Sequence, residues 1–156
     1  MGFGGKIKRN QADKHFSDCV RKSAHIDGKP APWHCQRCEK DYTDKPQGLQ
    51  CSHFITRANW AVRYDTSLSL CAYCHNWVEG NPPEHIRLFT AHIGGERELE
   101  KFMERSECSG LAQHNRANVR ALSAYYKAES ERLSEEIQKA KEGKQHDIKL
   151  YRYIRK

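Results

Sequence analysis

The chain has 156 residues, with 27 Lys and Arg against 20 Asp and Glu and a formal charge of +7 at neutral pH. Its mean hydropathy is −0.94. That length suits one compact core with appended helices and excludes a second full enzyme domain. No run approaches the roughly 20 apolar residues of a membrane span, and the first nine residues lack the apolar centre of a secretory signal, so the expectation is a cytoplasmic protein with no membrane partner.

The charge sits at the two ends. Residues 1–30 carry 7 basic and 3 acidic side chains, residues 31–110 carry 9 and 11, and residues 111–156 carry 11 and 6. Basic arms around a nearly neutral centre suit a polyanionic partner, because each Lys or Arg that neutralises a phosphate releases counterions. A solvated, soluble surface explains the same total charge.

In chain order, residues 1–9 read as a basic arm containing Lys6, Lys8 and Arg9. Asn10 is an N-cap for a helix over 11–23 that places Ala12, Phe16, Cys19 and Val20 on one face. Gly28, Pro30 and Pro32 break it. Strand candidates follow at Leu49–Ile55 and Ser67–Leu70, then a helix from near Cys74. Pro82-Pro83 opens a helix over Glu84–His92, Gly94-Gly95 interrupts it, and a further run reaches Arg105. The last helix spans about Asn115 to Lys141, with Val119, Tyr126, Leu133 and Ala140 on one seam beside Leu122 and Ile137. That seam can pack on the core or form a homodimer through the C-terminal helix.

Seven cysteines, an odd number in a reducing compartment, point to metal ligands, with redox or unpaired buried thiols as the alternatives. Cys35-Gln36-Arg37-Cys38 and Cys71-Ala72-Tyr73-Cys74 are two C-x-x-C knuckles, and four thiolates so paired can close a tetrahedron around zinc. The long interval between them must hold something of its own. Arg57 and Arg63 fall there, and a guanidinium can grip phosphate through two parallel hydrogen bonds; an internal salt bridge, with Asp65 for Arg63, is the simpler alternative. Trp33, Trp60, Tyr64 and Trp77 read as core filling.

The stretch from Cys35 to about His85 resembles the zinc-knuckled phage type of HNH endonuclease, including the lambdoid-phage recombination endonucleases of the Rap group. The resemblance rests on the two knuckles, on Ser52-His53-Phe54 followed by Arg57 and by Arg63-Tyr64-Asp65, and on Leu70-Cys71-Ala72-Tyr73-Cys74-His75. It implies an α+β fold: a ββα-metal core on a treble-clef zinc scaffold, with flanking helices. The expected organisation is an arm and helix at 1–30, the nuclease core at 31–93 and a helical extension at 94–156.

The same resemblance implies metal-dependent cleavage of DNA, duplex or branched, in phage recombination or in genome processing and packaging. It assigns His53 as general base and His75 as a ligand of a catalytic Mg²⁺, Mn²⁺ or other divalent ion, with Asp65 and His85 as candidates to complete the shell. A metal ligand commonly precedes the base, where this chain has Ser52. The family's orienting asparagine falls at Thr66, with Asn59 earlier in the same segment. Arg57, Arg63, Lys6, Lys8 and Arg9 become candidate DNA contacts. The alternative is a catalytically degenerate zinc-binding protein that holds DNA without cutting it.

Overall fold

A computed structural model describes residues 8–153. Helix α1 (Gln11–Lys22) begins with a reciprocal cap: Asn10 Oδ1 accepts the Asp13 N–H at 2.8 Å, and the Asp13 carboxylate accepts the Asn10 N–H at 2.7 Å. Two amides without helical partners are thereby satisfied. Asp27 and Gly28, both at positive φ, then turn a two-residue hairpin between β1 (His25–Ile26) and β2 (Lys29–Pro30).

The central unit is two antiparallel strands running directly into a helix. β3 (Leu49–Ser52) pairs with β4 (Leu68–Cys71), Leu49 opposite Cys71 and Ser52 opposite Leu68, and α2 (Ala72–Glu79) follows β4 without a loop. The sequence predicts the first strand as far as Ile55, but it ends at Ser52. Phe54 leaves the ladder to stack on Phe89 at 4.4 Å, so side-chain packing overrides the β-propensity of that segment. Among the described residues four more helices follow: α3 (Pro82–Ile93), α4 (Glu96–Ser106), α5 (Ser109–Ala117) and α6 (Val119–Lys141). Gly94 and Gly95, at φ 113° and 118°, make the corner between α3 and α4 that a residue with a Cβ adopts only under strain.

Two apolar clusters hold these elements. One gathers Leu49, Val62, Leu68, Leu70, Val78, Phe89 and Phe102 around the cysteine knuckles. The other packs Ala12, Phe16, Cys19 and Val20 of α1 against Leu122, Tyr126 and Leu133 of α6, with Tyr64 and Ile148. The expected seam of α6 is therefore covered within the chain, and Val119, Ile137 and Ala140 extend the same contact. Glu129, which interrupts the seam's periodicity, is buried; it binds Arg132 and accepts the Tyr151 N–H at 2.8 Å. Residues 144–153 run back beside α6, fixed further by Tyr153 N–H donating to the Tyr126 hydroxyl at 3.1 Å. Helix α1 and helix α6 with the segment after it thus share one core, a long-range pairing that reading each helix separately does not reveal. Among the described residues no helix is long and apolar enough to cross a membrane.

Candidate functional site

The sulfurs of Cys35, Cys38, Cys71 and Cys74 all lie within 4.8 Å of one another. Cys38 and Cys71 are 4.0 Å apart, near the roughly 3.8 Å edge of a tetrahedron whose Zn–S bonds are about 2.3 Å. The first knuckle turns through Glu39 at φ 65°, whose N–H bonds the Cys35 carbonyl at 2.8 Å. The second lies at the junction of β4 and α2, where Cys71 is the N-cap. Gln36 ties the two together: its N–H donates to the Ser69 carbonyl and its Oε1 accepts the Ser69 N–H, both at 2.8 Å, so one residue acts as a short extra strand beside β4.

The electrostatics of this cluster call for a cation. Burial pushes the Cys35 thiol up and is the main reason that Cys74 rises to about 12. Burial opposes ionisation of Cys71 too, yet the Cys74 N–H and the Tyr42 hydroxyl bring it down to about 7. Arg37 donates to Cys74 Sγ at 3.3 Å while stacking on Trp77 at 3.6 Å. Four neighbouring sulfurs, those of Cys35, Cys71 and Cys74 on buried residues and that of Cys38 on an exposed one, become thiolates together only around a metal ion, and this donor set fits zinc.

A second group of polar side chains lines a cavity of about 570 Å³ that includes Arg9, Asp13, Arg21, Gln50, His53, Arg57, His75 and Glu79. His53 follows the last residue of β3, and its Nε2 lies 3.0 Å from the Arg63 carbonyl. A carbonyl only accepts, so Nε2 carries the proton and the neutral ring keeps its lone pair on Nδ1. Burial lowers the His53 pKa to about 4, which holds the ring neutral at physiological pH. His75, in the first turn of α2, bonds Gln50 Oε1 through Nδ1, and its Nε2 lies 3.4 Å from Glu79 Oε1 one turn later. In the neutral ring this places a lone pair beside a carboxylate, which a proton or a metal ion between them would reconcile.

The remaining predicted residues are distributed differently. His85, on α3, has a buried Nε2 without a hydrogen-bond partner and an edge-on contact with Phe54 at 5.2 Å. Burial, aided by nearby His75, lowers its pKa. Asp65 is not brought to this cavity. Its buried carboxylate accepts from Arg105 at 2.7 and 3.0 Å, from Arg152 at 2.8 Å and from the Thr66 N–H at 2.7 Å, and these donors leave it stitching the loop to α4 and the C-terminal segment. Thr66 lines a separate depression with His25 and His92. Asn59 accepts the Ala61 N–H and donates to the Ser106 carbonyl, both at 3.0 Å, and so anchors its loop on the end of α4.

Arg63 is buried and grips Asp13, Nε to Oδ1 at 2.8 Å and Nη2 to Oδ2 at 2.6 Å, so its guanidinium faces the protein and not solvent. Its partner is Asp13, not the sequence neighbour Asp65. Lys8 and Arg9 are exposed, Arg9 at the cavity, and Lys6 lies outside the described residues. The structure adds Glu79 and Gln50 to the site. Glu79 could be found from its i,i+4 spacing to His75 on a helix; nothing local marks Gln50, which β3 delivers from across the hairpin. Comparison of the chain with protein-family models, curated proteins and solved structures finds no match.

Proposed function

We propose that this protein is a zinc-stapled, divalent-metal-dependent endonuclease of the HNH type that hydrolyses DNA phosphodiester bonds. The observation that carries the reading is the fixed tautomer of His53. Its Nε2–H is held by the Arg63 carbonyl, and its free Nδ1 belongs to a ring that lines the same cavity as His75, Glu79, Arg57 and Arg9. A neutral imidazole with one nitrogen anchored is suited to take a proton from water, and a phosphate bound nearby raises its basicity from the depressed value. Arg57 and Arg9 supply positive charge for the nucleic-acid backbone. His75 Nε2 and Glu79 would hold the divalent ion, with Gln50 orienting the ring from its other nitrogen. When bound, that ion supplies charge stabilisation to the phosphodiester and to the leaving 3′ oxygen. Zinc held by the cysteine quartet would fix the position of His75, because Cys74 is its neighbour in α2.

The test is nicking or linearisation of supercoiled plasmid with Mg²⁺, Mn²⁺ or EDTA, comparing wild type with His53→Ala. Metal-dependent cutting by wild type and none by the variant, with zinc content and fold equal, supports the reading. A second reading, DNA binding without cleavage, is favoured by one observation. Among the described residues, the cysteine quartet alone brings together three or more His, Cys, Asp or Glu ligand atoms. Salt-dependent gel shifts with intact plasmid and intact branched DNA, in every metal, would establish it.

A further inference from the structure

The Asp13–Arg63 ion pair joins α1 to the loop that carries the His53 anchor. Both residues are buried, Asp13 at 5% and Arg63 at 2% exposure. Burial would raise the Asp13 pKa, but the Arg63 hydrogen bonds and the Asn10 N–H outweigh it and hold the carboxylate ionised. The fork is complete: Nε and Nη2 go to the two carboxylate oxygens, Nη2 also donates to the Lys8 carbonyl at 3.2 Å, and Nη1 donates to the Arg57 carbonyl at 3.4 Å. The guanidinium lies 4.0 Å from the Trp60 ring centroid, which closes its remaining side.

Both ends of this device are themselves fixed. Asp13 belongs to the Asn10 cap, and the Asn10 amide donates to the Tyr64 hydroxyl at 3.1 Å, so α1 grips two consecutive loop residues. Tyr64 in turn offers its carbonyl to the Tyr126 hydroxyl of α6 at 3.3 Å. The backbone thus clamped includes the Arg63 carbonyl, the hydrogen-bond acceptor of His53 Nε2–H. A loop of this length without regular structure places a carbonyl to within a few tenths of an ångström only if side chains over-determine it.

We propose that Asp13 and Arg63 are positioning residues: through the Arg63 carbonyl they hold His53 as its Nε2–H tautomer, and through the Lys8 and Arg57 carbonyls they hold the backbone next to Arg9 and at Arg57, two residues that line the same cavity. Arg63 does this without touching substrate, which gives its buried charge a purpose other than gripping phosphate. Asp13 brings the N-terminal helix, outside the stretch that resembles a nuclease, into the site. The inference rests on the nuclease reading for its kinetic consequence and on geometry alone for its tautomer.

The experiment is ¹⁵N–¹H NMR of the zinc-loaded full chain at neutral pH, read together with plasmid cleavage. Wild type should show a slowly exchanging His53 Nε2–H. The double variant D13L/R63M removes the pair without leaving one buried charge alone. It should retain fold and zinc while His53 becomes a mixture of tautomers, and kcat should fall roughly 10–100-fold with KM changed far less. Arg63→Lys, which keeps the charge but loses the fork, should fall between. A wild-type His53 protonated on Nδ1, or a folded double variant with a wild-type His53 spectrum, overturns the proposal. If the double variant fails to fold, Asp13→Glu decides in its place: a displaced fork should alter the His53 signal, and an unaltered one overturns the proposal. Absence of cleavage by wild type, with the tautomer responding as expected, overturns the nuclease reading and leaves the positioning role standing.

Discussion

The cysteine cluster and the His53–His75 cavity are neighbours in sequence and opposites in construction. The cluster is convergent: two short turns bring four like donors within 4.8 Å of one another, and the adjacent residues Gln36 and Arg37 bridge the halves. The cavity is distributed: its groups come from α1, the end of β3, the following loop and α2, and each is oriented by a different partner. Local spacing sets the first, because two residues between cysteines allow few geometries. The second depends on contacts between residues 10 and 50 positions apart, His53 with Arg63 and Arg63 with Asp13.

The sharpest way to break the contrast is at the cluster. Cys74→Ser removes one of four ligands from a sulfur site in a core whose apolar content is small. The variant should lose zinc and the cooperative melt of the β3–β4–α2 unit, a loss of several kcal/mol, at least about 4, by circular dichroism and metal analysis. Retention of a wild-type melt without zinc would show that the thiols are incidental. The cavity should respond in rate and not in stability. His53→Ala should lower cleavage by about 10²–10⁴-fold while its melting temperature stays within a few degrees of wild type.

Between these lies the Asp13–Arg63 pair, which belongs to both scaffold and site. Arg63→Met alone strands a buried carboxylate and should cost about 3–5 kcal/mol in urea unfolding, more than D13L/R63M costs, because removing both charges leaves nothing unpaired. Equal costs for the single and double variants would show that the pair is not coupled.

A smaller effect is read by pH and has the same sign in both regions. His92 is pushed down to about 4 chiefly by burial, and its Nδ1 lies 3.0 Å from Gln36 Nε2 in the knuckle bridge. Its folded pKa is below the unfolded value of about 6.5, so the unfolded chain takes up the proton first. The stabilisation is therefore present above pH 6.5 and is lost as pH falls toward 4, at most about 3 kcal/mol. His92→Asn should be flatter than wild type over that window in urea titrations at a series of pH values. His53 has the same sign of shift, so an H53A/H92N double variant should be flatter still. The smallest effect belongs to an exposed pair remote from both regions: Arg87→Ala, which breaks a contact with Glu84, should change stability by about 0.5 kcal/mol or less.

The sequence by itself determined the elements whose signals are local. Asn10 announces the start of α1, Pro82-Pro83 and Gly94-Gly95 bound α3, and the paired C-x-x-C spacing specifies the four-sulfur cluster. Each of these rests on the conformational limits of a few adjacent residues. Tertiary structure decided the rest. It ended β3 at Ser52 so that Phe54 could reach Phe89, and it folded the seam of α6 onto α1. It sent Asp65 to Arg105 and Arg152 and turned Arg63 inward to Asp13. A charged residue's partner is set by whichever opposite charge shares its desolvated neighbourhood. That neighbourhood exists only after α1 and α6 have packed together across more than a hundred residues of chain.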